Sequence, residues 1–156
     1  MADDQTRGQE PFERSRQHRH GVQQACVDLE DALARPAGRD PRRWSADTAA
    51  RLHQLVEAFQ HHVLQSEGPE GLLRQIVQVA PRLAHAVEQV KQDHQALLAE
   101  IDRLETATKD VDDAGHIQKL REECMLLLQS IAAHRQSGAD LIYEAYSVDV
   151  EGGESG

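Results

Sequence analysis

The sequence predicts an all-α fold, an up-down-up-down bundle of four helices. Aromatic residues make up only 3% of the 156 residues, while good helix formers such as Ala, Leu, Gln, Glu and Arg are abundant. Apolar residues recur every three or four positions in four segments, and prolines and loops separate these segments. We expect this bundle over residues 11–147, a disordered arm at 1–10, and a flexible, acidic, Gly-rich tail at 148–156.

The first predicted helix covers residues 11–34, and its apolar face comprises Val22, Ala25, Cys26, Leu29 and Leu33. Two prolines and a glycine in residues 35–41 end it. After a loop of about ten residues, Ser45 is the expected N-cap of the second helix, with Trp44 as a hydrophobic staple before it. Pro69 requires that helix to stop near residue 67, because proline lacks the amide hydrogen a helix needs.

The second half of the chain predicts two more long helices. A short helical piece at residues 69–80 leads to Pro81, a favourable first residue for a third helix that continues to about Thr108. Asp112 or Asp113 is expected to cap a fourth helix over residues 114–146. Inward positions on these two helices are Val87, Val90, Leu97, Leu98, Ile101, Leu104, Leu120, Cys124, Leu127, Leu128, Ile131, Leu141 and Ile142.

Charge and composition exclude several classes of partner. Seventeen basic and 27 acidic residues give a net charge of −10, which repels nucleic acid and anionic membranes alike. The polar N-terminal segment has no apolar core of a signal peptide, and no run of about 18 apolar residues occurs. We therefore expect a soluble, cytoplasmic protein. The two cysteines, Cys26 and Cys124, form no metal-binding or redox motif and are expected to be inward-facing thiols.

Motifs typical of enzymes are missing from the sequence. It has no HExxH, no phosphate-binding glycine loop, no nucleophile elbow and none of the paired Glu-x-x-His motifs that a ferritin-like oxidase needs. A non-catalytic protein is the expectation.

Histidines recur on the apolar faces of the predicted helices. His18 lies one turn before Val22, while His94 and His134 fall within the third and fourth apolar stripes, and His62 lies at the edge of the second. The other histidines are expected to face solvent: His20, His53, His61, His85 and His116. A single buried histidine is usually a satisfied core residue, but one per helix indicates a shared metal ion, because imidazole is costly to bury without a partner.

Three stretches of the sequence resemble the hemerythrin-like (HHE cation-binding) family. They are FQHHVLQSEGPEGLL at 59–73, APRLAHAVEQVKQDHQALL at 80–98, and HRQSGADLIYEAY at 134–146, and the resemblance covers residues 15–147. It implies a four-helix bundle that holds two non-haem irons and that binds dioxygen or senses oxygen, iron or redox state.

The family pattern implies particular ligands. It has a histidine on the first and third helices, H-x-x-x-E on the second, and H-x-x-x-E or H-x-x-x-H on the fourth, which implies His18, His62, His94 and His134 as ligands. The carboxylate positions hold Ser66 and Gly138 instead, and Asp140 points away from the core, so Glu67 is the expected substitute ligand.

This departure leaves a site poor in negative charge. An ordinary di-iron site, a mononuclear or weak iron site, and a bundle that has lost its metal are the three open alternatives. The expected function is a non-catalytic iron-binding or oxygen- and redox-sensing bundle. Its alternative is a metal-free scaffold or protein-interaction module, whose protein partner the sequence does not identify.

Overall fold

The structure, a computed structural model, describes the backbone of residues 21–154 and the side chains of residues 21–147. Helix α1 covers residues 21–34 of this part. The other α-helices are α2 at Pro41–Glu67, α3 at Leu72–Val79, α4 at Ala84–Ala107 and α5 at Ala114–Glu154. Short 3-10 turns at Pro81–Leu83 and Thr108–Asp110 flank α4. Residues 21–154 contain no strand, which confirms the all-α prediction.

Two predicted segments fall at the limits of this description. The arm at 1–10 and the first turns of the first helix lie outside the described residues. Helix α5 continues to Glu154, through most of the segment predicted as a tail, and the flexibility of that segment stays a prediction. Among the described residues, no helix is both long and apolar enough to cross a membrane.

The start of α2 differs from the prediction. Asp40, rather than Ser45, is the N-cap, and its Oδ1 accepts a hydrogen bond of 3.1 Å from the Arg43 backbone N–H. Pro41 follows as the first helical residue, where its missing N–H has no consequence. Ser45 is therefore buried inside the helix, and its hydroxyl donates to the Thr108 carbonyl. Trp44 is also helical, and its Nε1 donates to the Arg35 carbonyl at 3.0 Å.

The end of α2 lies where Pro69 predicts it, at Glu67. The turn that follows folds back closely on the last turn of α2. A Cβ atom at Gly71 would lie only 2.6 Å from the Gln65 carbonyl oxygen, and one at Gly68 would lie 2.8 Å from the Leu64 carbonyl oxygen. Only glycine permits this approach, so the two glycines allow the turn to pack against the last turn of α2.

Helices α2 and α4 pack together in opposite directions. Near the start of α2, Ser45 meets Thr108 just after α4, and His53 Nδ1 lies 3.1 Å from Glu105 Oε1. Near the end of α2, Glu67 reaches His94 in the middle of α4. The first half of α2 therefore faces the last turns of α4.

Helix α5 likewise runs antiparallel to α4 and to α1. Ion pairs of 3.6 and 3.8 Å join α5 to α4 and its preceding turn, Glu123 to Arg103 and Glu144 to Arg82. Towards α1, hydrogen bonds of 3.0 and 3.4 Å join Arg121 to the Leu33 carbonyl and Arg135 to Gln23. In both pairs, later residues of one helix meet earlier residues of the other.

The apolar core consists of two clusters. The larger joins α1, α2, α4 and α5 and includes Val22, Leu29, Leu33, Leu52, Leu55, Phe59, Leu97, Ile101, Leu104, Leu120, Cys124, Leu127 and Ile131. The smaller joins α3, α4 and α5 and consists of Leu73, Ile76, Ala80, Leu83, Val87, Val90, Leu141 and Ala145. On α4, His94 falls between Val90 of the smaller cluster and Leu97 of the larger one. On α5, His134 likewise falls between Ile131 and Leu141, so both histidines lie at the boundary of the two clusters.

Candidate metal centre

Three histidines from three different helices meet at this boundary. His62 of α2, His94 of α4 and His134 of α5 each offer a ring nitrogen, and these three nitrogens all lie within 4.8 Å of one another. Their ring centroids are 5.3 Å apart for His62 and His94, 6.2 Å for His62 and His134, and 4.8 Å for His94 and His134. His94 is 1% exposed and His134 is 6% exposed, whereas His62 is partly buried.

Phe59 forms an apolar support for this cluster. It lies close to one turn before His62 on α2 and is itself almost fully buried. Its ring centroid is 5.7 Å from that of His62 and 5.9 Å from those of His94 and His134. Because the ring touches all three imidazoles, its packing limits the rotamers that they can adopt.

The position of the hydrogen on the His94 ring follows from the neighbouring carboxylate of Glu67. His94 Nδ1 lies 2.9 Å from Glu67 Oε2. A carboxylate can only accept a hydrogen bond, so Nδ1 carries the hydrogen and donates it. In the neutral ring the other nitrogen, Nε2, then has a lone pair, and it is buried with no hydrogen-bond partner among the described residues.

His134 also has a buried nitrogen, Nδ1, that finds no hydrogen-bond partner within residues 21–147. The nearest carboxylate, Asp93 Oδ2, is 3.8 Å away, which is too long for a hydrogen bond. Burial lowers the pKa of the His134 imidazole below its ordinary value, nearby His94 lowers it further, and Asp93 partly opposes both effects. These influences favour the neutral ring, which is the form that binds metals.

The donor set fits one transition-metal ion. Nitrogens bound to an ion at about 2.0–2.1 Å in a tetrahedral arrangement lie about 3.4 Å apart. The observed limit of 4.8 Å is wider by about 1.4 Å, which small side-chain rotations can close. The group contains no carboxylate or thiolate, and imidazole alone suits Zn²⁺, Cu²⁺, Ni²⁺ and iron better than Ca²⁺ or Mg²⁺.

The structure brings together three of the five residues that the sequence singled out. His62, His94 and His134 form the cluster, while Glu67 lies behind His94 on its Nδ1 side. His18 lies outside the described residues. The histidines expected to face solvent are exposed where they are described, at positions 53, 61, 85 and 116.

The two positions that lack the expected carboxylate have different surroundings. The hydroxyl of Ser66 donates to the Val63 carbonyl at 3.3 Å, within its own helix. Gly138 is partly buried, and a Cβ atom there would meet nothing within 4 Å. Asp140 is exposed, which agrees with the prediction that it points away from the core, and it accepts a hydrogen bond from Gln136.

Sequence reasoning missed the roles of Phe59 and Asp93. Phe59 reads as one more member of an apolar stripe, and nothing in the sequence tells that its ring meets three histidines. Asp93 precedes His94 on α4 but faces His134 on α5. The spacing of residues within one helix does not show which residues of another helix they will contact.

No family model, no curated protein and no solved structure matches the chain. The hemerythrin-like resemblance therefore stays a prediction, and function has to be argued from the site itself.

Proposed function

We propose that this chain is a non-catalytic metal-binding helical bundle in which His62, His94 and His134 hold one divalent transition-metal ion. Ferrous iron is the ion that the hemerythrin-like resemblance favours. The observation that carries the proposal is His94 Nε2, which is buried, has no hydrogen-bond partner within residues 21–147 and lies in a group of three imidazoles. A buried nitrogen left without a partner costs about 1–3 kcal/mol, and a bond to a metal would remove that cost.

The charge of the site supports one ion rather than two. The ligand group consists of three histidines, and an imidazole that binds a metal is neutral, so it cancels none of the positive charge of an ion. A second ion a few ångströms away would add repulsion that no carboxylate of this group offsets. We expect fewer than about two ions per chain and ready loss to a chelator.

A sensing or reversible binding role fits these ligands. Three protein ligands leave at least one coordination position open. Weak retention suits a sensor of iron itself, while an open position suits a sensor of redox state or of a small molecule such as dioxygen. The helix contacts support an up-down-up-down bundle around the site, because each contacting pair described above runs in opposite directions.

The alternative is a metal-free scaffold or protein-interaction module. The observation that favours it is the absence of a carboxylate from the described ligand group, together with Ser66 and Gly138 at the positions where the family pattern has acidic or histidine ligands.

Metal titration of the chelator-treated protein separates the two functions. Ferrous iron, added without air, and zinc are each titrated, and bound metal is counted by elemental analysis. We expect about one ion per chain, and a loss of affinity of at least about 10-fold in H62A, H94A and H134A. His85→Ala is the matched control, because His85 is an exposed histidine on the same helix as His94. Histidine variants that bind as much metal as the parent, or a parent that binds none, would favour the scaffold. His18→Ala tests the fourth predicted ligand in the same assay.

A further inference from the structure

We infer that Glu67 is a positioning residue that prepares His94 to bind the metal through Nε2. The inference rests on the proposed function and assigns Glu67 a different role from the ligand role that the sequence suggests. Its basis is the 2.9 Å contact between Glu67 Oε2 and His94 Nδ1, combined with the second ring nitrogen, Nε2, which is buried and has no hydrogen-bond partner in the part of the chain that the structure describes.

The hydrogen bond selects one tautomer of His94. When a neutral ring holds its hydrogen on Nδ1, the lone pair is on Nε2, the nitrogen that has no partner among the described residues. Metal-binding histidines commonly donate their second ring N–H to a carboxylate, which fixes the ring and makes the ligating nitrogen more basic. The contact between Glu67 and His94 has this form.

Glu67 is poorly placed to be a ligand itself. The two nitrogens of an imidazole point to different sides of the ring, so a carboxylate on Nδ1 lies away from an ion on Nε2. The described cluster of possible ligands accordingly contains three histidines and leaves Glu67 out. Its side chain is 24% exposed, so the carboxylate keeps part of its hydration while it holds a ring that is 1% exposed.

The local sequence explains this placement. A residue four positions after His62 lies about 40° around the helix from it, whereas Glu67, five positions after, lies about 140° away. The side chain is thereby aimed towards α4 instead of the centre of the cluster. Gly68 and Gly71 allow the turn that follows Glu67 to pack closely against the backbone of the last turn of α2.

Nitrogen NMR of the protein without metal tests the first half of the inference. In chelator-treated protein labelled with ¹⁵N-histidine, we expect His94 to carry its hydrogen on Nδ1. The variant E67Q should keep this tautomer, because the carboxamide oxygen still accepts a hydrogen bond, and E67A should lose it. Glu70→Ala is the control, since Glu70 is an exposed glutamate in the neighbouring turn.

Zinc affinity tests the second half. We expect E67A to bind zinc about 10- to 100-fold more weakly with an unchanged number of ions per chain, and E67Q to lose less than E67A. If Glu67 were a ligand, E67Q and E67A would lose affinity equally, which would overturn the inference. A hydrogen on Nε2 of His94 in the parent, or an E67A variant with unchanged tautomer and affinity, would also overturn it while leaving the three-histidine site intact. A parent with the expected tautomer that binds no zinc would instead overturn the proposed function.

Discussion

Replacing His94 by leucine is expected to stabilise the protein without metal while abolishing metal binding. Replacing a histidine that stabilises the fold should lower the free energy of unfolding. Replacing a histidine whose role is to bind metal by an apolar residue should instead raise the free energy of unfolding of the metal-free protein. His94 is the sharpest place to test this difference, because it is 1% exposed and has one satisfied and one unsatisfied nitrogen.

The magnitude follows from the contacts of the ring. Removing the unpaired Nε2 relieves about 1–3 kcal/mol, and a leucine of similar size adds apolar burial between Val90 and Leu97. Losing the hydrogen bond to Glu67 costs about 1–2 kcal/mol. This is less than for a fully buried carboxylate, because the partly exposed carboxylate of Glu67 can hydrogen-bond to water instead. The net expectation is a gain of about 1 kcal/mol in the free energy of unfolding, or about 2–4 °C in Tm.

Urea unfolding with and without metal is the assay. Without metal, H94L should be more stable than the parent. With metal at about 100 times the Kd, the parent should gain about 2.7 kcal/mol and H94L nothing, so the order of stability reverses. The control H85L, at an exposed position of the same helix, should stay within about 0.5 kcal/mol of the parent in both conditions. A loss of more than about 1 kcal/mol in H94L without metal would refute the reasoning and make His94 a structural residue.

Four further outcomes are expected. Phe59→Ala should cost about 3–5 kcal/mol and weaken metal binding, whereas Leu55→Ala, equally buried one turn earlier, should lose stability without changing the affinity of the folded protein. Burial raises the pKa of the Cys124 thiol to about 12 from 9.0, so alkylation followed by mass spectrometry at pH 8 should be about 1000-fold slower than for a free thiol. This raised pKa leaves stability unchanged below about pH 9 and lowers it as the pH rises from there towards 12. The double variant S66E/G138E should bind more ferrous iron than the parent. It adds two carboxylates on the helix faces that carry the ligands, and position 138 has room for a side chain. Elemental analysis that shows no increase in bound iron would contradict this expectation.

Local signals in the sequence were enough to predict most of the helix ends. Pro69 fixes the end of α2, and Asp113, one of two predicted caps, accepts from the His116 N–H at 2.8 Å at the start of α5. The predicted start of α2, with Ser45 as N-cap, was wrong. Asp40 followed by Pro41 is itself a complete helix-start signal, and it comes earlier in the chain than the less effective signal at Ser45.

The histidine cluster was predictable in its members and not in its internal contacts. Helical periodicity places His94 and His134 on buried faces, and both are buried. The direction of Glu67 depends on where α4 lies relative to the last turn of α2, and the spacing within one helix does not contain that information. The contribution of Asp93 to His134 depends in the same way on how α4 and α5 are aligned.

X-ray absorption spectroscopy of the metal-loaded protein tests the three-histidine site most directly. The protein is stripped with a chelator, loaded with one equivalent of zinc or of ferrous iron, and freed of unbound metal. We expect about one ion per chain with about three imidazole ligands, at about 2.0–2.1 Å for zinc, and no second metal nearby. H94L should retain no ion after this treatment, whereas H85L should keep the ion count and the imidazole signal of the parent. An ion bound without imidazole, a pair of ions at short distance, or no retained ion at all would contradict a mononuclear site formed by His62, His94 and His134.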